Sequence, residues 1–181
     1  LAAMVMLCCC AFASAETLLY ATNPEYPPFE SMDDNNQVIG YDVDLINAIG
    51  EKIGIEFQAE AMAFDAVVSS VQTNPNMIGL SGISITDERK LSVNFSDGYI
   101  DAGLVVVMKA DAGFKTMDDL KGKLIGVQQG TTSDFKAEEI TGQENVMRYA
   151  TFIDAMLSLQ GNKVDAVIVD APCSGLGVVA D

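Results

Sequence analysis

The stretch LIGVQQGTTSDFKAEEI, residues 124–140, decides the fold. Residues 124–127 are an apolar run of strand length, Gln128 to Thr132 form a polar break containing Gly130, and residues 133–140 read as a helix. A strand that passes through a short turn into a helix asks for a second, parallel strand beyond that helix, because parallel neighbours need a crossover of helical length. The sequence provides a strand at 146–149, a helix at 152–160 closed by Gly161, and a strand at 165–169, after which Pro172 is placed to open a further helix. Upstream, Thr116 is placed to cap a short helix ending at Gly122, and residues 103–108 read as a buried strand.

An earlier series has the same style. Residues 18–22 read as a strand, and a turn-rich segment follows from Asn23 through Pro24, Pro27 and Pro28 to Asn36. Val43, Ile46, Ile49 and Ile53 recur at helical spacing, with Asp42 as candidate N-cap and Gly54 where a helix stops. Residues 55–59 alternate as a strand, 65–73 are helical with Val67, Val68 and Val71 on one side, and 77–80 and 93–95 are short strands. Strands alternating with helices predict parallel sheets covered by helices, an α/β fold. The two series part near residues 99–103, which predicts two lobes, 16–98 and 104–181, joined by an extended crossing at 99–103.

The 181 residues carry 10 Lys and Arg against 26 Asp and Glu, a net charge of −16, and 49% are hydrophobic. That is one large domain or two small ones with enough apolar material for real cores. The acidity argues against a nucleic-acid partner, since phosphate neutralisation needs Lys and Arg. The sequence has no His, which excludes His triads, His metal sites and His proton shuttles. Residues 1–15 are uncharged and end in Ala13-Ser14-Ala15, the pattern of a secretory signal cut short at its start; a membrane anchor is the alternative, but Glu16 interrupts the run too early. Cleavage there leaves Cys173 as the one cysteine, so no internal disulfide is expected. A lipid on Cys8, Cys9 or Cys10 is the alternative to free release.

In open α/β sheets ligands gather beyond the carboxyl ends of strands. Those places hold Asn23, then Ser81-Gly82-Ile83-Ser84, then Gln128 to Thr132, then Asp170. Hydroxyls, amides, glycines and a carboxylate suit a small polar molecule, and they equally suit ordinary loops.

GYDVDLINAIG (40–50), SGISITDER (81–89), VNFSDGY (93–99), DLKGKLIGVQQGTT (119–132) and VDAVIVDAP (164–172) occur in order. Together they resemble the extracellular solute-binding proteins, family 3, of polar amino acid ABC transporters. The resemblance implies a periplasmic-binding-protein type II fold, a Venus flytrap that closes two lobes over one free L-amino acid and presents it to a membrane permease. It implies an extracytoplasmic monomer with no catalytic residues, metal or cofactor. Arg89 matches the arginine that grips the α-carboxylate, for which a planar guanidinium donating two parallel hydrogen bonds is the right chemistry. Ser84, Thr86 and Thr132 match further donors, Asp170 and the Gly82 carbonyl match acceptors for the α-ammonium, and Tyr26 and Phe64 match aromatics enclosing the side chain. Other readings stand beside these: Arg89 as a surface partner of Asp87 or Glu88, Tyr26 and Phe64 as core aromatics, Asp170 as the cap of a helix at Pro172, and Thr132 as an N-cap alone.

Asn23 stands where many relatives that bind basic amino acids carry Asp, and Gln128 where some carry Lys, so the resemblance favours a neutral polar ligand. Glu25 keeps Lys, Arg or ornithine open. The family's return segment to lobe 1 has no counterpart before Asp181, which predicts a C-terminally incomplete fold with an uncovered apolar face in lobe 1. Two other functions remain: an enzyme such as a cyclohexadienyl dehydratase, with its acid drawn from Glu25, Glu30, Asp170 or a Lys, and a ligand-sensing domain of a membrane receptor.

Overall fold

Ten strands in three β-sheets, two large and one small, and five α-helices make up the structure, a computed structural model that describes residues 16–172. Residues 1–15 and 173–181, which include the expected signal and Cys173, lie outside the described residues.

The first sheet has the order β5-β1-β6, with β1 at Glu16–Thr22, β5 at Ile55–Ala61 and β6 at Met77–Gly79, and both pairings are parallel. Two helices supply the crossovers, α1 (Tyr41–Ile53) and α2 (Phe64–Thr73). Gly54 ends α1 in the left-handed conformation, φ 77°, as the sequence predicts. The N-cap differs, because Gly40 occupies that position and Asp42 turns its carboxylate inward to other partners. The face of α1 is also shorter than the periodicity implies: Val43 and Ile46 are buried, whereas Ile49 and Ile53 are exposed. The proline-rich segment is not only turns; it folds as a small antiparallel sheet of β2 (Glu25–Tyr26), β3 (Glu30–Met32) and β4 (Val38–Ile39).

The second sheet has the order β7-β10-β8-β9, from β7 (Ala102–Met108), β8 (Ile125–Gln128), β9 (Val146–Tyr149) and β10 (Ala166–Pro172). Strands β10, β8 and β9 are parallel, joined by α4 (Thr132–Thr141) and α5 (Phe152–Gln160). Successive residues point to opposite faces. Ile125, Val127, Ala166 and Ile168 pack under α4 with Ala137, while Val167 packs under α5 with Ala155 and Leu159.

Two expectations fail, one in this sheet and one in the earlier series. Strand β7 runs antiparallel to β10 at the sheet edge, and Leu104 and Val105 are 40% and 45% exposed, so its apolar run is not a fully buried strand. Strand β10 continues through Pro172, paired with Ala102, and the helix expected beyond that proline lies outside the described residues. Residues 93–95 of the earlier series join no ladder among the described residues; they border an apolar groove of about 870 Å³ beside β6. Thr116 caps a single 3₁₀ turn, Met117–Leu120, through a capping box with Asp119.

Candidate functional site

The carboxyl ends of the strands of both sheets converge on a cavity of about 250 Å³. Nine of the ten residues expected at a ligand site line it: Asn23, Tyr26, Phe64, Gly82, Ser84, Arg89, Gln128, Thr132 and Asp170. Thr86 stands behind them. Its hydroxyl accepts the Arg89 N–H and caps α3 (Asp87–Lys90), which fixes where the arginine leaves the backbone.

Arg89 is 8% exposed, so it is not a surface ion pair; Lys90 is the residue that meets Asp87. Its Nη1 donates to the Ser84 carbonyl at 2.9 Å and its Nη2 to the Gly130 carbonyl at 3.0 Å, the latter across to the second sheet's loop. The guanidinium lies over the Phe64 ring, 5.8 Å from its centroid. A guanidinium has five N–H donors, and these two bonds leave others for a carboxylate in the cavity. Burial lowers the Arg89 pKa below its ordinary value, opposed by the charges of Asp170 and Glu88.

Asp170 is held by the start of α4. The Thr132 hydroxyl donates to its Oδ1, and the backbone N–H groups of Thr132 and Ser133 donate to the same carboxylate. Burial raises its pKa, and the Thr132 bond, the Ser133 N–H and Arg89 oppose that shift. It therefore caps the start of α4. The N-cap of α4 itself is Thr131, whose side chain accepts the Asp134 N–H. Asp134 also accepts the Gly130 N–H and pairs with Arg148 of β9, which ties this loop to the sheet.

Further hydrogen bonds join the two sides. Gln128 Nε2 donates to Asn23 Oδ1 at 3.0 Å, Tyr26 OH donates to the Asp170 carbonyl at 3.0 Å, and Gln129 Nε2 donates to Asp65 at 3.1 Å. Two glycines are required by geometry. Gly82 has φ 52°, with Tyr26 3.1 Å from where a Cβ would stand, and Gly130 has φ 77°, with Asp65 3.0 Å from that point. Tyr26 and Phe64 are half-buried and face the cavity. Glu25 is not among the lining residues; burial, then the charge of Asp154, raises its pKa.

Sequence reasoning missed Ser81, Thr131, Ser133 and Phe152 as lining residues, and placed Glu30 only among possible acids. Ser81 and Thr131 sit inside the strand-end runs and were readable there. Phe152 gave no signal, since it reads as the first apolar residue of α5. Glu30 is fully buried, accepts the Ser81 hydroxyl at 2.9 Å, and is pushed up to about 8 by burial, with Asp42 also raising it and Ser81 opposing. Among the described residues no group of three His, Cys, Asp or Glu is arranged to hold a metal, and no helix is long and apolar enough to cross a membrane.

The model of the bacterial extracellular solute-binding proteins, family 3, matches residues 18–141. An ABC transporter arginine-binding protein 1 of Escherichia coli (strain K12) is 32% identical over 158 residues, covering 87% of this chain; the chain spans 65% of that relative's length. The arginine-bound form of a truncated ArgBP from T. maritima superposes with a TM-score of 0.78 at 41% identity, over 86% of this chain and 74% of that one. An ancestral arginine-binding protein bound to glutamine superposes with a TM-score of 0.77 at 37% identity, over 85% and 69%.

Proposed function

The chain belongs to the bacterial extracellular solute-binding proteins, family 3, with the α/β fold of type II periplasmic binding proteins, and from that premise we propose that it binds one free polar L-amino acid for an ABC transporter permease. The observation that carries the proposal is the charge content of the cavity. Its charged lining residues are Glu30, Arg89 and Asp170, and a Glu30 titrating near 8 is largely neutral at pH 7. One cation and one anion remain, the complement of a zwitterionic α-carboxylate and α-ammonium, with no charge left over for the side chain.

In this reading residues 16–98 form lobe 1, 99–103 cross, and 104–181 form lobe 2. Arg89 takes the carboxylate, with Ser84 and Thr132 as further donors, and Asp170 with the Gly82 carbonyl receives the ammonium. Tyr26 and Phe64 enclose the side chain, while Asn23 and Gln128 offer amides to a polar group on it. Thr86 orients Arg89 through its cap. A ligand bonded to both lobes stabilises the closed state in proportion to its preference for that state, and closure is what the permease reads. We place the protein outside the cytoplasm as a monomer and read it as a binder, not a catalyst: of the acids considered, Asp170 is tied to α4 and Glu30 to Ser81.

The relatives' names put arginine first in a ligand panel and the glutamine complex puts the neutral amides beside it. Thermal unfolding against L-arginine, L-histidine, L-glutamine, L-glutamate and the remaining L-amino acids tests the proposal. A true ligand at a hundredfold excess over its Kd adds about 2.7 kcal/mol. No shift with any of them would sink it, and turnover of prephenate or arogenate would favour the dehydratase alternative.

A further inference from the structure

Behind the cavity two buried carboxyl groups face each other. Glu30 and Asp42 are both 0% exposed, and each lies near enough to the other to influence its ionisation. Two carboxylates offer only acceptors, and two neighbouring buried charges of one sign repel, so the arrangement favours a proton on one of them. The remaining contacts say which. The Tyr99 hydroxyl, 2.9 and 2.8 Å from the two Asp42 oxygens, shares its one proton between them, and the Gly82 N–H donates to Oδ2 at 3.2 Å, so Asp42 has two donors and is the better-stabilised anion. Glu30 accepts one donor, Ser81 Oγ, on Oε1, while its buried Oε2 meets no donor. Oε2 is therefore the atom that carries the proton.

The bonds continue in both directions. The Asn23 N–H donates to Ser81 Oγ at 3.0 Å, and Ser81 donates on to Glu30. From Asp42 the network reaches Gly82 in the cavity wall and Tyr99 on the segment leading to β7, whose ring stacks on Tyr41 at 6.2 Å. We propose that Glu30 and Asp42 share a single proton and, so held, act as a positioning pair that fixes the Asn23 and Ser81-Gly82 loops of the cavity and ties them to the crossing segment at Tyr99. The arrangement is set by four elements, β3, α1, the loop after β6 and the chain before β7. Other groups do not replace the proton. Tyr26 from β2 and Tyr99 are pushed further from ionising by burial, Asp170 across the cavity adds negative charge, and Arg89 is committed to the Ser84 and Gly130 carbonyls.

The pair predicts a loss of stability with rising pH. Between the ordinary glutamate range and about 8 the folded chain holds a proton that the unfolded chain has released, so stability falls as pH climbs through that window and levels off above it. The inference uses the proposed binding role only to say what the loops are fixed for, and its test is made on the unliganded chain.

With ¹³C-labelled glutamate side chains, the Glu30 carboxyl, assigned through its own backbone, keeps a protonated shift at pH 6 and titrates near 8, and the Asn23 and Gly82 amide shifts move with the same midpoint. In urea unfolding the ratio of wild-type to Glu30→Gln folding equilibrium constants falls by up to about tenfold per pH unit between pH 6 and 8, since Gln can accept from Ser81 and donate to Asp42 without titrating. A Glu30 carboxyl already ionised at pH 6 overturns the shared proton even if the Gln variant does not fold. A titrating Glu30 with unmoved Asn23 and Gly82 amides overturns the positioning role. A Glu30 titration near 8 with the amide shifts moving alongside it, combined with no amino acid ligand, would count against the binding reading alone.

Discussion

The two sheets obey the same α/β logic and bury very different amounts. The second is covered on both faces, with Leu120, Ile125, Val127, Ala137, Val146, Ala166 and Ile168 on one side and Ala155, Leu159, Val164 and Val167 on the other. The first has a buried cluster of Ala21, Val67 and Met77, and a groove of about 870 Å³ lined by Ile46, Ile49, Val68 and Val71 runs beside it. The difference teaches that strand and helix formation does not require equal burial on every face. Among the described residues the larger cores lie in the second half, and the cavity lies where the two halves meet.

The largest effect is expected where the halves meet. Arg89→Ala removes the cavity's cation and its bond to the Gly130 carbonyl, and a ligand carboxylate would be left buried and unpaired. Such losses cost about 3–5 kcal/mol, so calorimetry should show binding weakened by more than about a hundredfold. Wild-type affinity in this variant would remove Arg89 from the site.

Core substitutions come next and measure the comparison directly. Ile125→Ala, at 0% exposure, should cost about 4 kcal/mol in urea unfolding. Met77→Ala should cost about 2 kcal/mol, the low end of that range, because Met77 borders the groove and its surroundings are freer to collapse. Equal costs would mean that the first half is as tightly packed as the second.

These elements also mark how far the sequence could be read. Helices α1, α2, α4 and α5 and the three parallel strands of each series were legible because their periodicity and stop signals are local. Strand β7 was misread because VVV looks the same whether a strand is central or at an edge, and burial is settled by neighbours distant in the chain. Asp42 illustrates the same limit at the site: a carboxylate near a helix start reads as a cap until Tyr99 and Gly82, far along the chain, are seen to claim it. Arg89 and Asp170 were legible through the resemblance, whereas the pairing of Glu30 with Asp42 links residues whose local signals say nothing of each other.

A smaller effect is expected from Tyr26→Phe. The ring and its stacking on Phe29, 5.5 Å between centroids, are kept, and one hydrogen bond across the cavity to the Asp170 carbonyl is lost. A neutral hydrogen bond of this kind contributes about 1 kcal/mol, so ligand affinity should fall about fivefold with little change in unfolding. A much larger loss would place the Tyr26 hydroxyl on the ligand itself.

The smallest effect sharpens the comparison most. Helical periodicity puts Ile53 on the buried face of α1, and the structure leaves it 55% exposed in the last turn. If the exposure holds in solution, Ile53→Ser removes no buried contact, and unfolding should change by no more than about 0.5 kcal/mol. If it costs about 2 kcal/mol or more, as a buried apolar side chain would, the face is covered in solution. The contrast between the two sheets would then reflect burial that the described residues do not contain. Sedimentation of the wild type and the Ile53→Ser variant would separate the two ways of covering it: a concentration-dependent species lost in the variant means a second copy, and a monomer in both means cover from within one chain.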